Sequence, residues 1–341
     1  MHIAVIGGGL AGLSALWHLL QHSFVQATLF DIGGGASSVS TGLLHPFPGK
    51  EALRSLRSEE GLQAAKILLK TAQEALQKPI FEEGGILRLA VTEIQKKDFH
   101  LRSVEDPDAI WWDEAKVLSL LPQTTLAPAL FVPKGITVYS KRYLEGLWLA
   151  CQKKGAKLEK REVYSLSDLK EFDAIILTAG SSTLRFEECK NLPLALTKGQ
   201  ALICRWPERL PLSLVSQGHI TPTEDPHLCQ IGSTYERKFS SPDPDPSKAL
   251  ELLQKVSLFY PPAKDFKVEE IRSGVRIAPK IGYQPLIQKI HPNAWVFTGL
   301  GSRGLLYHAL LGKKVVNEVL KKWKKNYHVI PRTITGEVWR S

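Results

Sequence analysis

The stretch that most constrains this chain is its N-terminus, Met1-His-Ile-Ala-Val-Ile-Gly-Gly-Gly-Leu-Ala-Gly12. Ile3 to Ile6 is a short apolar run of the length of a buried parallel strand. Gly7-x-Gly9-x-x-Gly12 follows at once, and Leu13 to Leu20 continues as an apolar helix. Strand, glycine turn and helix stand in the order that a dinucleotide site needs. Gly7 permits the tight turn, Gly9 leaves room for a pyrophosphate, and Gly12 lets the helix lie close to the strand. Leu10 and Ala11 belong to the same turn, whose free N–H groups sit at the positive end of the helix. A second apolar run, Ala27-Thr-Leu-Phe-Asp31, ends in an acid nineteen residues after Gly12. A carboxylate there meets ribose hydroxyls. A lone glycine motif is weak evidence; strand, glycines, helix and acid in register are stronger.

Behind Asp31 comes a loop of small and hydroxyl-bearing residues, Gly33-Gly-Gly-Ala36-Ser37-Ser38-Val-Ser-Thr-Gly42-Leu43-Leu44-His45-Pro46. Its backbone can approach a ligand closely and its serines can bond phosphate or ring heteroatoms, so it reads as a second cofactor loop. At 341 residues the chain is long enough for two domains or one large one with a sizeable core. Four cysteines (Cys151, Cys189, Cys204 and Cys229) are far apart, without metal-ligand spacing. They read as buried or idle thiols of a reducing compartment, and no metal is expected. No secretory signal or membrane span stands out, so a cytoplasmic location is expected. The net charge of +10 favours an anionic partner, but its late cluster, Lys313, Lys314, Lys321, Lys322, Lys324 and Lys325, reads first as a solvated helix face.

Further along, Glu51 to Leu76 reads as one long helix, with Leu53, Leu56, Leu62, Ala65, Leu68, Leu69 and Ala72 on its stripe. Gly84 to Ala90 reads as a strand, Trp111 to Leu121 as a helix, and Leu130 to Val138 as a hairpin. Arg142 to Lys153 has helical spacing and Ala156 to Val163 that of a strand. Phe172-Asp-Ala-Ile-Ile-Leu-Thr178-Ala179-Gly180-Ser181 is a buried strand running into small residues. From Pro193 to Pro285 short strands alternate with Pro/Gly/Asp turns, as in an antiparallel sheet, with one helix at Lys248 to Tyr260. Ala294 to Thr298 is a last strand, followed by Gly299-Leu-Gly301-Ser302-Arg303-Gly304-Leu305 and a helix to about Trp323.

These pieces in this order resemble the D-amino-acid-oxidase-like family of FAD-dependent amine oxidoreductases, which includes glycine and sarcosine oxidases. The resemblance covers nearly the whole chain. Besides the two N-terminal motifs and the final glycine turn, it rests on Asp173 to Gly180, Lys198-Gly-Gln200, Gly232-Ser-Thr-Tyr235-Glu236 and Ser273-Gly-Val-Arg276-Ile277. Within the family, the chain looks closest to the FAD domain of the bifunctional tRNA wobble-uridine modification enzyme (MnmC type).

The resemblance implies an α/β fold: a Rossmann-like FAD-binding domain and a second, antiparallel-sheet substrate domain. The first is expected from 1–76, 138–192 and 290–330, the second from 77–137 and 193–289, with 331–341 as a tail. The AMP half of FAD would lie near Gly7 to Gly12, Asp31 and Val163. Thr178 to Gly180 would touch the cofactor. The isoalloxazine would lie between the Ala36 to His45 loop and the Gly301 to Gly304 turn. Arg276 stands where family members clamp a substrate carboxylate, and Arg303 is a second candidate for flavin or substrate. Tyr235 and His45 are pocket candidates. Chemistry would be hydride transfer from the carbon beside an amine to flavin N5, followed by imine hydrolysis. Asp31 replaces the more usual glutamate, and Tyr139-Ser140 an Asp-Pro found in relatives. The final turn lacks the cysteine of covalent sarcosine oxidases, so FAD is expected to be non-covalent.

Two functions compete at this point. One is oxidation of a small amino acid or N-substituted glycine. The other is removal of a carboxymethyl group from a wobble uridine of tRNA, which the positive charge and Lys321-Lys-Trp-Lys-Lys325 would favour. Against it, Trp323 fits an inward helix face with Val316, Val319 and Leu320, and the partner methyltransferase domain is absent. A non-catalytic flavin-binding protein would leave Arg276 idle. The electron acceptor and oligomeric state are open.

Overall fold

The computed structural model describes the backbone of residues 1–324 and the side chains of 1–321. In chain order the strands are β1 (His2–Ile6), β2 (Gln26–Phe30), β3 (Leu43–Leu44), β4 (Phe81–Glu82), β5 (Ile86–Leu89) and β6 (Ile110–Trp112). Then come β7 (Ala129–Val132), β8 (Ile136–Val138), β9 (Lys157–Glu159), β10 (Ala174–Leu177), β11 (Leu194–Arg205) and β12 (Ser213–Val215). The last are β13 (His219–Pro222), β14 (Leu228–Gly232), β15 (Lys267–Pro279), β16 (Leu286–His291) and β17 (Ala294–Thr298). The helices are α1 (Leu10–Leu19), α2 (Ser58–Leu76), α3 (Glu93–Glu105), α4 (Glu114–Leu120), α5 (Ser140–Lys153), α6 (Pro246–Ser257) and α7 (Gly304–Lys324).

The N-terminal strand sits inside a six-stranded sheet of order β16-β17-β10-β1-β2-β9, parallel except for β16. Alternation along β1 sends its two faces to two cores. Ile3 and Val5 join the layer of α1, α2, α5 and α7, while Ala4 and Ile6 pack with Phe30, Val163, Phe172 and Phe186. That double burial is why the strand reads as an unbroken apolar run.

The second sheet has eight strands, β15-β11-β14-β13-β12-β5-β7-β6, antiparallel except where β12 meets β5. A third, small sheet has the order β3-β8-β4. The expected α/β fold with a parallel nucleotide sheet and an antiparallel partner is therefore present. Two of the expected boundaries fall inside strands. Residue 290 lies within β16, which pairs with β17 of the parallel sheet, and residue 138 ends β8.

Several local expectations are corrected. The long helix begins at Ser58, because Ala52 and Arg57 take positive φ and Ser55 donates its N–H to the Pro46 carbonyl. Leu53 and Leu56, expected on its buried stripe, are exposed. Trp111 and Trp112 belong to β6, and α4 starts after Asp113, whose carboxylate accepts the Lys116 N–H at 2.8 Å. The expected hairpin at 130–138 is absent: β7 pairs with β5 and β6, whereas β8 crosses to β3 and β4. Helix α3, opened by a capping box from Thr92 and Gln95, carries few apolar residues and escaped notice.

All four cysteines are free and buried. No described helix is long and apolar enough to cross a membrane. On α7 Lys313, Lys314 and Lys321 are exposed and Val316, Val319 and Leu320 buried, as a solvated helix face requires. The Trp323 side chain, Lys325 and the tail 331–341 lie outside the described residues.

Candidate active site

The C-terminal ends of the central parallel strands and the edge of the antiparallel sheet enclose a cavity of about 680 Å³. Such a crevice beyond the strand ends is where open α/β sheets bind ligands. At one end lies the first glycine turn. Gly7 takes φ +100°, and a Cβ there would stand 2.6 Å from the Thr178 carbonyl oxygen. A Cβ on Gly12 would stand 1.8 Å from the Gly7 carbonyl oxygen. Only glycine lets α1 start this close to β1. Thr178 fastens the turn by donating its hydroxyl to the Ile6 and Gly7 carbonyls at 2.7 and 3.0 Å.

Asp31 faces the same turn. Its Oδ1 accepts the Gly8 N–H at 2.8 Å and its Oδ2 the Gly33 N–H at 3.0 Å. A Cβ on Gly8 would come 2.7 Å from Asp31 Oδ2, so a side chain there would have to displace the carboxylate. The first turn of α1 carries no acid and no side-chain cap at Gly9, while the Leu10 N–H donates to Ser37 Oγ at 3.1 Å. The positive end of the helix is thus open toward the cavity and has no carboxylate of its own.

At the other end, β11, β13, β15 and the turn before α7 bring polar side chains to the wall. Arg276 on β15 donates Nη2 to the Thr234 carbonyl at 3.0 Å and has no carboxylate partner among the described residues. Its guanidinium occupies space left by Gly199 on the neighbouring strand, where a Cβ would be 2.2 Å from Nη2. Burial lowers the pKa of Arg276 from its ordinary value. His45 and His219 also line the cavity, and neither ring has a hydrogen-bond partner in the described structure. Burial, then the charge of Arg88, then His219, push the pKa of His45 down to about 3. Burial and Arg276 do the same to His219. Both rings are uncharged near neutrality.

Most residues singled out from the sequence meet on this surface: Gly7, Gly9, Leu10, Ala11, Asp31, Ala36, Ser37, Leu43, His45, Val163, Thr178, Ala179, Gly180, Arg276, Gly299, Gly301, Ser302, Arg303, Gly304 and Leu305. Five stand off it. Gly12 acts through helix packing, and Leu44 is core. Gly42 has φ +80° and lies against the Val138 carbonyl. Ser38 donates its hydroxyl to the Gly35 carbonyl at 2.9 Å. Tyr235 is 63% exposed outside the cavity, its ring between Arg276 and Arg237 at 5.7 and 5.6 Å. Arg303 rests over Tyr283 at 4.2 Å.

The wall also holds Arg88, Gly199, His219 and Thr298, none of them an expected site residue, and Gly8 of the expected Gly7 to Gly12 stretch. Of the four, Gly199 had a signal, in the Lys198-Gly-Gln200 motif.

FAD fits this surface. The backbone cradle leaves no room for a side chain at Gly7, the first turn of the helix beside it has no acid, and the buried Thr298 hydroxyl beside the final turn has no partner among the described residues. Gly7 to Ala11 would hold the pyrophosphate and Asp31 the ribose. The turn Gly301 to Arg303 opens α7, whose positive end suits a reduced, anionic ring. No cysteine lines the cavity among the described residues.

Several solved structures share this fold. Glycine oxidase from Geobacillus kaustophilus is similar with a TM-score of 0.82 and 21% identity, covering 99% of each chain. Iminodiacetate oxidase from Chelativorans sp. BNC1 follows at 0.79 and 20%, covering 94% of this chain and 95% of that one. L-Proline dehydrogenase from P. horikoshii gives 0.77 and 16%, covering 94% and 93%. No curated protein matches the sequence. The model of the DAO family, FAD dependent oxidoreductase, matches residues 2–318, and the chain therefore belongs to that family of FAD-dependent oxidoreductases.

Proposed function

We propose that this enzyme oxidises the carbon–nitrogen bond of a small amino acid or N-substituted glycine. The observation that carries the reading is Arg276: a part-buried guanidinium in the cavity wall, fixed by one carbonyl and with no carboxylate partner among the described residues. A planar cation with free donors matches a substrate carboxylate in a bidentate pair. Glycine, iminodiacetate and L-proline, the compounds for which the similar structures are named, all place such a carboxylate beside an amine carbon.

Bound FAD supplies a hydride acceptor at N5 and a route for the electrons to a second acceptor. The protein's own part is orientation and electrostatics. Arg276 would fix the substrate carboxylate and hence the angle of the amine carbon. With Arg276 and Arg88 cationic and His45 and His219 uncharged, the wall disfavours an ammonium ion, so the amine enters neutral and its lone pair assists departure of the hydride. The proton lost on binding goes to solvent. Water then adds to the imine, releasing an amine and a carbonyl compound.

The test is anaerobic addition of glycine, sarcosine, iminodiacetate, proline, D-amino acids and bulk tRNA, each to the flavin-loaded protein, while the visible spectrum is followed. Bleaching by a small amino acid supports the reading. Bleaching by tRNA alone would replace it with modification of a carboxymethylated uridine, and no bleaching by any of them would overturn it.

A further inference from the structure

The cavity wall contains a second guanidinium. Arg88 lies on β5, is 5% exposed and lines the cavity. Its Nη1 donates to the Phe47 carbonyl and its Nη2 to that of Gly49, and the group stacks over Phe99 at 4.8 Å. Nε has no partner, and no carboxylate faces the side chain among the described residues. The two carbonyls belong to the loop that carries His45, so Arg88 fixes that loop and brings its charge beside an imidazole with no hydrogen bond of its own. Arg88, His45, His219 and Arg276 all line this one cavity.

Arg88 and Arg276 are both cationic, and neither has a carboxylate partner among the described residues. Carbonyl dipoles offset a buried cation only in part, and a buried charge is stable when it is paired. Arg276 has its anion if the substrate is an amino acid; Arg88 has none. We infer that Arg88 and His45 form a second anion subsite, and that the substrate is an amine with two acidic groups, one held at Arg276 and the other at Arg88. The inference rests on the amine-oxidation reading for the role of Arg276. It goes beyond that reading in naming a dianion, such as an amino acid with an acidic N-substituent or side chain.

The experiment is calorimetric titration of the flavin-loaded protein with acetate and with malonate, succinate and glutarate, none of which can be oxidised at an amine. At least one dicarboxylate should bind about tenfold tighter than acetate or more. Arg88→Gln should abolish that advantage while holding acetate binding within about twofold, and Arg88→Lys should restore part of it. Should Arg88→Gln not fold, His45→Ala should weaken the dicarboxylate selectively. Equal binding of acetate and every dicarboxylate, or equal weakening of both by these variants, would overturn the subsite. Selective dicarboxylate binding without bleaching by iminodiacetate would keep the subsite and sink the amine-oxidation reading. Bleaching by sarcosine and iminodiacetate at equal efficiency, with no dicarboxylate advantage, would do the reverse.

Discussion

At the scale of single residues, function turns on where a few cations lie relative to the sheet edge. Arg276 was legible because it stands in a short motif, Gly274-Val-Arg-Ile277, but its fitness as a clamp depends on Gly199 across the strand pair. Arg88 was not legible. In Ile86-Leu-Arg-Leu-Ala90 it reads as the solvent-side residue of an alternating strand, and only the fold of the 46–49 loop over it removes the water. His219 is hidden for a related reason: its ring lies across Gly232 of the paired strand, a neighbour that no local pattern announces. In the proposed role, replacing Arg276 removes a charge partner of the substrate, a change that typically costs about 2–5 kcal/mol. Arg276→Ala should therefore leave FAD content unchanged, raise KM by about 30-fold to several thousandfold, and be only partly rescued by Arg276→Lys. Steady-state kinetics with a flavin absorbance assay read both quantities. Loss of flavin from the variant would place Arg276 in a cofactor role instead.

At the scale of elements, periodicity found the long helices but misjudged their ends. Leu53 and Leu56 extend the stripe of α2 on paper, yet the backbone turns at Arg57 into the left-handed region and the stripe stops there. The hairpin at 130–138 failed because strand pairing is decided by sheets that form far away in sequence. Helix packing follows a simpler rule, visible only in three dimensions: glycines mark the closest approaches. Gly312 of α7 lies on Ser14 of α1, Gly61 of α2 on the Leu306 carbonyl, and Gly146 of α5 on the Ala72 carbonyl. In an exposed helix Gly→Ala gains about 1 kcal/mol of helix propensity. At Gly146 the new Cβ would stand 2.4 Å from Ala72 O, a backbone atom that cannot swing aside. Overpacking of about 1–3 kcal/mol should outweigh the propensity gain. Gly146→Ala should lower the urea midpoint and leave FAD affinity unchanged, because Gly146 is not in the cavity wall. An unchanged or higher midpoint would show that α2 and α5 can separate freely.

At the scale of the whole molecule, the first dozen residues specified one layer of the architecture, and the proline- and glycine-punctuated middle specified the other. The boundary between them was harder to read, since pairing alone assigns β16 to the parallel sheet and β8 to a third, small one. The same burial that joins the layers makes stability depend on pH. Burial pushes His18 and His308 down to about 4, and His45 and His219 to about 3, from an ordinary 6.5. His308 is the cleanest case, fully enclosed between α1, α5 and α7 with Nε2 at 2.5 Å from Tyr143 OH. Between pH 6.5 and about 4 the unfolded chain binds a proton there that the folded chain refuses. Protons therefore favour unfolding in that window. The stabilisation is fully present above pH 6.5 and is lost as the pH falls toward the folded value. One such group changes stability by about 1.4 kcal/mol per pH unit inside the window. Urea unfolding of the wild type at intervals from pH 7 to 4.5 should show falling stability with a net uptake of more than one proton. His308→Gln, which can keep a hydrogen bond to Tyr143, should cut that uptake by about one proton. A wild-type profile that is flat across the window would mean that these imidazoles are protonated inside the fold, and that the cavity wall beside Arg276 is more polar than its burial implies.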